Sequence, residues 1–169
     1  MMPAKEALAV VHALRGKDDV VVTTMTPARD WMTMPQSALD LVLVPSAMSH
    51  ATSMGLGLAL AQPERRVIVC NGDGSMLMNL GSLVSIAEAR AANLTVLVFD
   101  NGTYEVTGSQ RVPGAGSVNF LQLADGAGFQ ATFQFSDLET WRRGARNALF
   151  APGPAGARAT AFMGALRGA

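Results

Sequence analysis

Asp73 stands between two glycines in Asn71-Gly-Asp-Gly-Ser75, directly after the apolar run Arg66-Val-Ile-Val-Cys70 and ahead of a helical pattern beginning near Met76. A strand that ends in a glycine-rich corner and passes into a helix gathers unpaired backbone N–H groups and the positive helix end at one point. That point suits a phosphate. A carboxylate there repels phosphate unless a cation lies between them, so the corner reads as phosphate plus divalent metal. Asn101, in the turn Asp100-Asn-Gly-Thr103 after another apolar run, offers a second oxygen of the same kind. Mg²⁺ takes about six oxygens, one or two of them from carboxylate-type side chains and the rest from carbonyls, water and substrate phosphates. Asp73, Asn101 and a carbonyl near Thr103 can supply the protein share, while Gly74 and Ser75 hold a diphosphate through backbone N–H and hydroxyl.

The elements that must position these corners follow from apolar periodicity. Ala7, Leu8, Val11 and Leu14 make one stripe, predicting a helix over 4–15 that Gly16 closes. Residues 19–24 are β-branched and nearly all apolar, the pattern of a strand buried on both faces of a parallel sheet. A short helix is predicted over 27–34, a short strand over 41–44, and a helix over 49–61 whose small residues allow close approach to a sheet. After the strand at 66–70 come a helix over 80–92, closed by Asn93, and a strand over 94–99. Residues 104–119 are rich in glycine and proline without periodicity, predicting a mobile loop of the kind that is often functional. A helix over 120–127, a strand over 129–135, a helix capped by Asp137 and running to about Leu149, and a weak strand over 158–163 complete the chain. Strands alternating with helices predict an α/β fold in one domain over 1–169. Its core is a doubly wound, mainly parallel sheet of about six strands with helices on both faces. Ligands then bind at the carboxyl ends of the strands.

Composition narrows the partners. Charged residues are 15% of the chain, below the usual ~25%, and apolar residues are 49%, which predicts an interface with another chain. Lys plus Arg and Asp plus Glu are 13 each, so there is no basic stripe and nucleic acid is not expected. Cys70 is the only cysteine and lies in an apolar strand, which excludes an internal disulfide and a cysteine zinc cluster and fits a reducing cytoplasm. No apolar stretch approaches the ~20 residues of a membrane helix.

Gly72-Asp73-Gly74-Ser75 followed after the next apolar run by Asp100-Asn101-Gly102 resembles the metal–diphosphate motif of thiamine diphosphate enzymes. Ser46-Ala-Met-Ser-His-Ala51 with Met54-Gly-Leu-Gly-Leu-Ala-Leu-Ala61, and Asn101-Gly-Thr-Tyr-Glu-Val-Thr-Gly-Ser-Gln110, are similar to the sulfopyruvate and phosphonopyruvate decarboxylase group. The resemblance implies that Asp73, Asn101 and the Thr103 carbonyl bind Mg²⁺, and that Gly72, Gly74, Ser75, Asn101 and Tyr104 bind thiamine diphosphate. It implies that Met48 props the cofactor into the bent form that brings pyrimidine and thiazolium together, and that the Ser46 carbonyl accepts from the aminopyrimidine amine. It also implies a partner: in this family a pyrimidine-binding domain supplies the catalytic glutamate, and the length leaves no residues for one. A hetero-oligomer acting on a small 2-oxo acid is therefore expected, with a carboligase of the acetolactate synthase kind and a non-catalytic cofactor-binding module as alternatives. Ser46, Ser49, Asp100 and Ser109 depart from the family's usual glycines and asparagine.

His50, near the start of the 49–61 helix, is a candidate proton donor at the substrate because its ordinary pKa lies near neutrality, or else a histidine hydrogen-bonded at a helix start. Glu105 and Thr107 lie where a substrate would, or on a solvated loop. Trp31, Trp141, Met25, Met32 and Met34 read as core or interface.

Overall fold

A computed structural model describes residues 2–44, 47–150 and 160–162. Four apolar runs pair into one parallel sheet: β1 Val20–Thr24, β2 Asp40–Leu43, β3 Val67–Gly72 and β4 Leu94–Phe99, in the order β2-β1-β3-β4. Val22 lies opposite Leu41 on one side and Val69 on the other, and Cys70 lies opposite Leu97. β1 and β4 are buried along their whole length, as strands covered on both faces must be. The half-buried β2 is the edge.

Alternate residues of β3 feed two cores, as the two-residue period of a strand requires. Ile68 and Cys70 pack with Leu8 and Val11 of α1 (Ala4–Leu14), Trp31 of α2 (Met25–Trp31), and Trp141 and Ala145 of α7 (Leu138–Phe150). Trp141 donates its indole N–H to the Ala7 carbonyl at 3.0 Å and so fastens α7 to α1. Val67 and Val69 pack with Ala51 and Ala59 of α3 (Ala51–Ala61), Leu83 and Ile86 of α5 (Gly81–Ala89), and Phe120 and Ala124 of α6 (Phe120–Ala127). A Cβ on Gly55 would overlap the Val69 side chain, so this helix reaches the sheet only with glycine there.

The strand order reverses between β1 and β3, since the chain leaves β1 toward β2 and leaves β3 toward β4. The carboxyl ends at such a reversal part from one another and open a crevice. β1 runs into α2 at Met25, and β3 runs into α4 (Asp73–Leu77) at Asp73, which begins the helix rather than preceding it. α5 stops at Arg90, held left-handed at φ 50°, and the Asn93 amide donates to the carbonyls of Ala59, Gln62 and Arg65.

Two expectations are corrected. The main sheet has four strands among the described residues, not about six. β7 (Thr132–Gln134) and β8 (Thr160–Phe162) make a separate parallel pair; β8 passes beside β4 without a ladder to it. Residues 104–119, expected as a loop without regular structure, contain some in their first half. β5 (Thr103–Tyr104) and β6 (Gln110–Arg111) form an antiparallel hairpin around a 3₁₀ turn at Glu105–Thr107. Gly108 at φ 118° and Ser109 at φ 59° reverse the chain, and Thr107 and Gln110 bond to one another across the turn. The glycines here mark a reversal. No helix among the described residues is long and apolar enough to cross a membrane.

Candidate functional site

The buried Asp73 sits at the first position of α4. Its Oδ2 accepts the Gly102 backbone N–H at 2.8 Å, so the corner after β3 is bonded directly to the turn after β4. Asn101 is thereby brought to Asp73, and its Oδ1 accepts the Thr103 N–H at 2.9 Å in a local turn. Burial pushes the Asp73 carboxyl up to about 6. The N–H groups of Gly74 and Gly102 pull it down, and the neighbouring Asp100 carboxyl pushes it up again. A buried carboxylate beside a second one favours a proton or a cation between them.

These corners line a cleft of about 370 Å³. Gly72, Asp73, Gly74 and Ser75 contribute from the β3 side, and Asn101, Thr103 and Tyr104 from the β4 side. Met48 reaches it from the segment before α3. A Cβ on Gly74 would overlap the Tyr104 ring, so a flat shelf of peptide and phenol forms only because residue 74 is glycine. The Ser75 hydroxyl accepts the Ser49 N–H at 2.9 Å, and the Asn79 amide donates to the Ser49 carbonyl at 3.1 Å. Ser49 stands at φ 71°, a left-handed conformation that explains why glycine suits this place. The segment carrying Met48 is thus pinned to the corner after β3.

Every site residue expected from the sequence that lies in the described part lines this cleft, except His50 and Thr107, whose hydroxyl is bonded within the hairpin turn. His50 is exposed at the start of α3, with Nδ1 2.8 Å from the Met48 carbonyl and 3.1 Å from the Ser49 hydroxyl. Ser46 lies outside the described residues. Trp31 and Trp141 are fully buried core residues.

Sequence reasoning missed the wall contributed by β1. Met25, expected as core or interface, lines the cleft at φ 59°, and Thr26 and Pro27 line it beside Glu105. The Thr26 hydroxyl donates to Glu105 Oε2 at 2.7 Å, joining α2 to the hairpin turn. Arg29 Nη2 lies 3.8 Å from the same oxygen. The strand order was the missing information, because it alone puts the end of β1 next to the end of β3.

The profile of the thiamine pyrophosphate enzyme C-terminal TPP binding domain matches residues 19–156. The sulfopyruvate decarboxylase subunit beta of Methanothermobacter thermautotrophicus is 37% identical over 135 residues, covering 78% of this chain and 71% of that one. The phosphonopyruvate decarboxylase of Streptomyces hygroscopicus is 36% identical over 135 residues, covering 80% of this chain but 33% of that one. The solved thiamine diphosphate-dependent 4-hydroxybenzoylformate decarboxylase of Rhodococcus jostii RHA1 superposes with a TM-score of 0.75 at 25% identity, over 95% of this chain and 32% of that one.

Proposed function

The chain belongs to the thiamine pyrophosphate enzymes, as their C-terminal TPP-binding domain, and from that premise we propose that it is the diphosphate- and Mg²⁺-binding subunit of a thiamine diphosphate-dependent 2-oxo acid decarboxylase. The observation that carries this reading is the bond from Gly102 N–H to Asp73 Oδ2, which joins two oxygen-bearing corners inside one cleft. The donor set fits a hard cation: a carboxylate, an amide oxygen and a backbone carbonyl at Thr103 leave positions for phosphate oxygens and water. No group of three or more His, Cys, Asp or Glu side chains occurs among the described residues, so a metal here depends on the diphosphate for part of its shell.

Asp73, Asn101 and the Thr103 carbonyl would hold the Mg²⁺. Gly72, Gly74 and Ser75 would receive the diphosphate, with Tyr104 backing Gly74. Met48 would prop the bent cofactor, and the Ser46 carbonyl would take the aminopyrimidine amine. When bound, the cofactor supplies the electron sink for the carbanion left by loss of carbon dioxide.

A pyrimidine-binding partner would supply the catalytic glutamate. A beta-subunit relative of which this chain spans 71%, beside a longer decarboxylase relative of which it spans 33%, supports a partner. Calorimetry of thiamine diphosphate binding, with and without Mg²⁺ and with and without the partner, tests the reading in wild type and Asp73→Ala. Binding that needs Mg²⁺ and is lost in Asp73→Ala is expected. Binding indifferent to both removes the metal bridge.

A further inference from the structure

Asn71 closes the apolar run of β3 and is wholly buried behind the cleft, outside its lining. By the two-residue period of the strand its side chain follows Val67 and Val69 onto the α3 face of the sheet. A buried amide is costly unless its polar atoms are met, and here their partners belong to three elements. Oδ1 accepts the Gly72 N–H at 3.0 Å. Nδ2 donates to the Thr52 hydroxyl of α3 at 3.1 Å and lies 4.0 Å from the Met76 sulfur of α4. The Thr52 hydroxyl, itself on a wholly buried residue, donates onward to that sulfur at 3.8 Å. Only the amide oxygen can accept from an N–H, so the side chain that accepts from the corner must donate to α3.

Each partner belongs to a part of the cleft. Gly72 is where the strand becomes helix, directly ahead of Asp73, and a Cβ there would meet nothing within 4 Å, so no packed side chain fixes this corner. α4 carries Ser75, and α3 follows directly on Met48 and Ser49. Nearer the surface, the bond from Ser49 N–H to the Ser75 hydroxyl joins the same two segments. Asn71 repeats that link in the interior, where water does not compete and a hydrogen bond is electrostatically stronger. Apolar contacts at this point would join the elements without direction, whereas hydrogen bonds hold their partners at set distances and angles.

Resting on the cofactor reading above, we propose that Asn71 is a positioning residue: through Gly72 and Thr52 it sets the Asp73 corner and the Met48 segment at the spacing that a cofactor touching both requires. Its effect reaches the ligand only through the elements it joins. A ligand that uses the corner alone is then indifferent to the Thr52 end of the network.

The test is calorimetry with Mg²⁺ on the chain assembled with its pyrimidine-binding partner. It compares thiamine diphosphate, which meets both segments, with inorganic pyrophosphate, which meets only the corner. Thr52→Val keeps the side chain's shape and removes the oxygen that Nδ2 needs, so thiamine diphosphate is expected to bind about tenfold more weakly and pyrophosphate within about twofold of wild type. Thr52→Ser returns the hydroxyl and is expected to bring thiamine diphosphate affinity back to within about threefold. Asn71→Ala also releases Gly72 and is expected to weaken both ligands by about tenfold or more. Equal weakening of both ligands in Thr52→Val, no weakening in Thr52→Val or in Asn71→Ala, or failure of Thr52→Ser to restore binding overturns the proposal and leaves the cofactor reading standing. The two Thr52 variants decide the matter even if Asn71→Ala does not fold. Wild type that binds no thiamine diphosphate overturns that reading and this proposal with it.

Discussion

The Asp73–Asn101 corner and the Thr26–Glu105 wall bound the same cleft but are held by opposite means. Asp73 is 3% exposed and accepts backbone N–H groups, whose positions the two strands dictate. Glu105 is held by one side chain 79 positions away in sequence, at the exposed surface, with a second charge nearby. Backbone donors inside a sheet-anchored corner cannot move without unpairing strands, whereas an exposed side-chain contact is worth ~1 kcal/mol or less and rearranges readily. The rigid side suits a ligand common to a whole family.

The most damaging way to break this contrast is at the rigid side. Asp73→Ala removes the carboxylate that both joins the corners and would hold the cation, and Mg²⁺-dependent cofactor affinity is expected to fall at least ~100-fold by calorimetry. Gly74→Ala comes next. Its methyl group would overlap the Tyr104 ring, and forced overpacking of this kind costs ~1–3 kcal/mol, read as a lower Tm and weaker cofactor binding. Adding Tyr104→Ala should return most of the lost Tm, because the three atoms nearest the added methyl all belong to that ring; no recovery would place the strain elsewhere.

Protonation sharpens the same side with a smaller effect. The Asp73 carboxyl lies at about 6 when folded against 3.8 ordinarily, so between about pH 4 and 6 the folded chain holds a proton that the unfolded chain releases. Without metal, stability therefore falls as pH rises through that window. A cation must displace the same proton, so Mg²⁺ affinity is expected to drop about tenfold per pH unit below 6 and to level off above it. Thermal denaturation from about pH 4 to 6 is expected to show stability falling with pH without Mg²⁺ and thiamine diphosphate and nearly level with both at saturation, because the loaded chain no longer holds the proton. The smallest effect belongs to the adjustable side: Thr26→Val breaks the clasp and should lower stability by ~1 kcal/mol or less, leaving Mg²⁺-dependent cofactor affinity within about twofold.

The contrast also separates what could be read in the chain from what could not. The Asp73–Ser75 corner and Asn101 were legible because each is a local pattern, an apolar run that ends in glycine, carboxylate or amide. The strands β1, β3 and β4 were legible for the same reason, since runs buried on both faces leave no alternation to misread. The strand count was less so, because whether β7 and β8 join β4 depends on ladder partners far away in sequence. The 104–119 segment misled because glycine at positive φ serves a tight reversal as well as it serves a flexible loop.

By itself the sequence determined an α/β chain and singled out the Gly72–Ser75 corner and Asn101, and its likeness to thiamine diphosphate enzymes determined the cofactor to expect. Tertiary structure decided which strand ends are neighbours. That put Met25, Thr26 and Glu105 into the cleft, left His50 outside its lining, and turned a glycine-rich stretch into a hairpin clasped to α2. The reason is physical: backbone corners are specified by residues next to one another, while a wall made of side chains from separate elements exists only once the order of the strands is set.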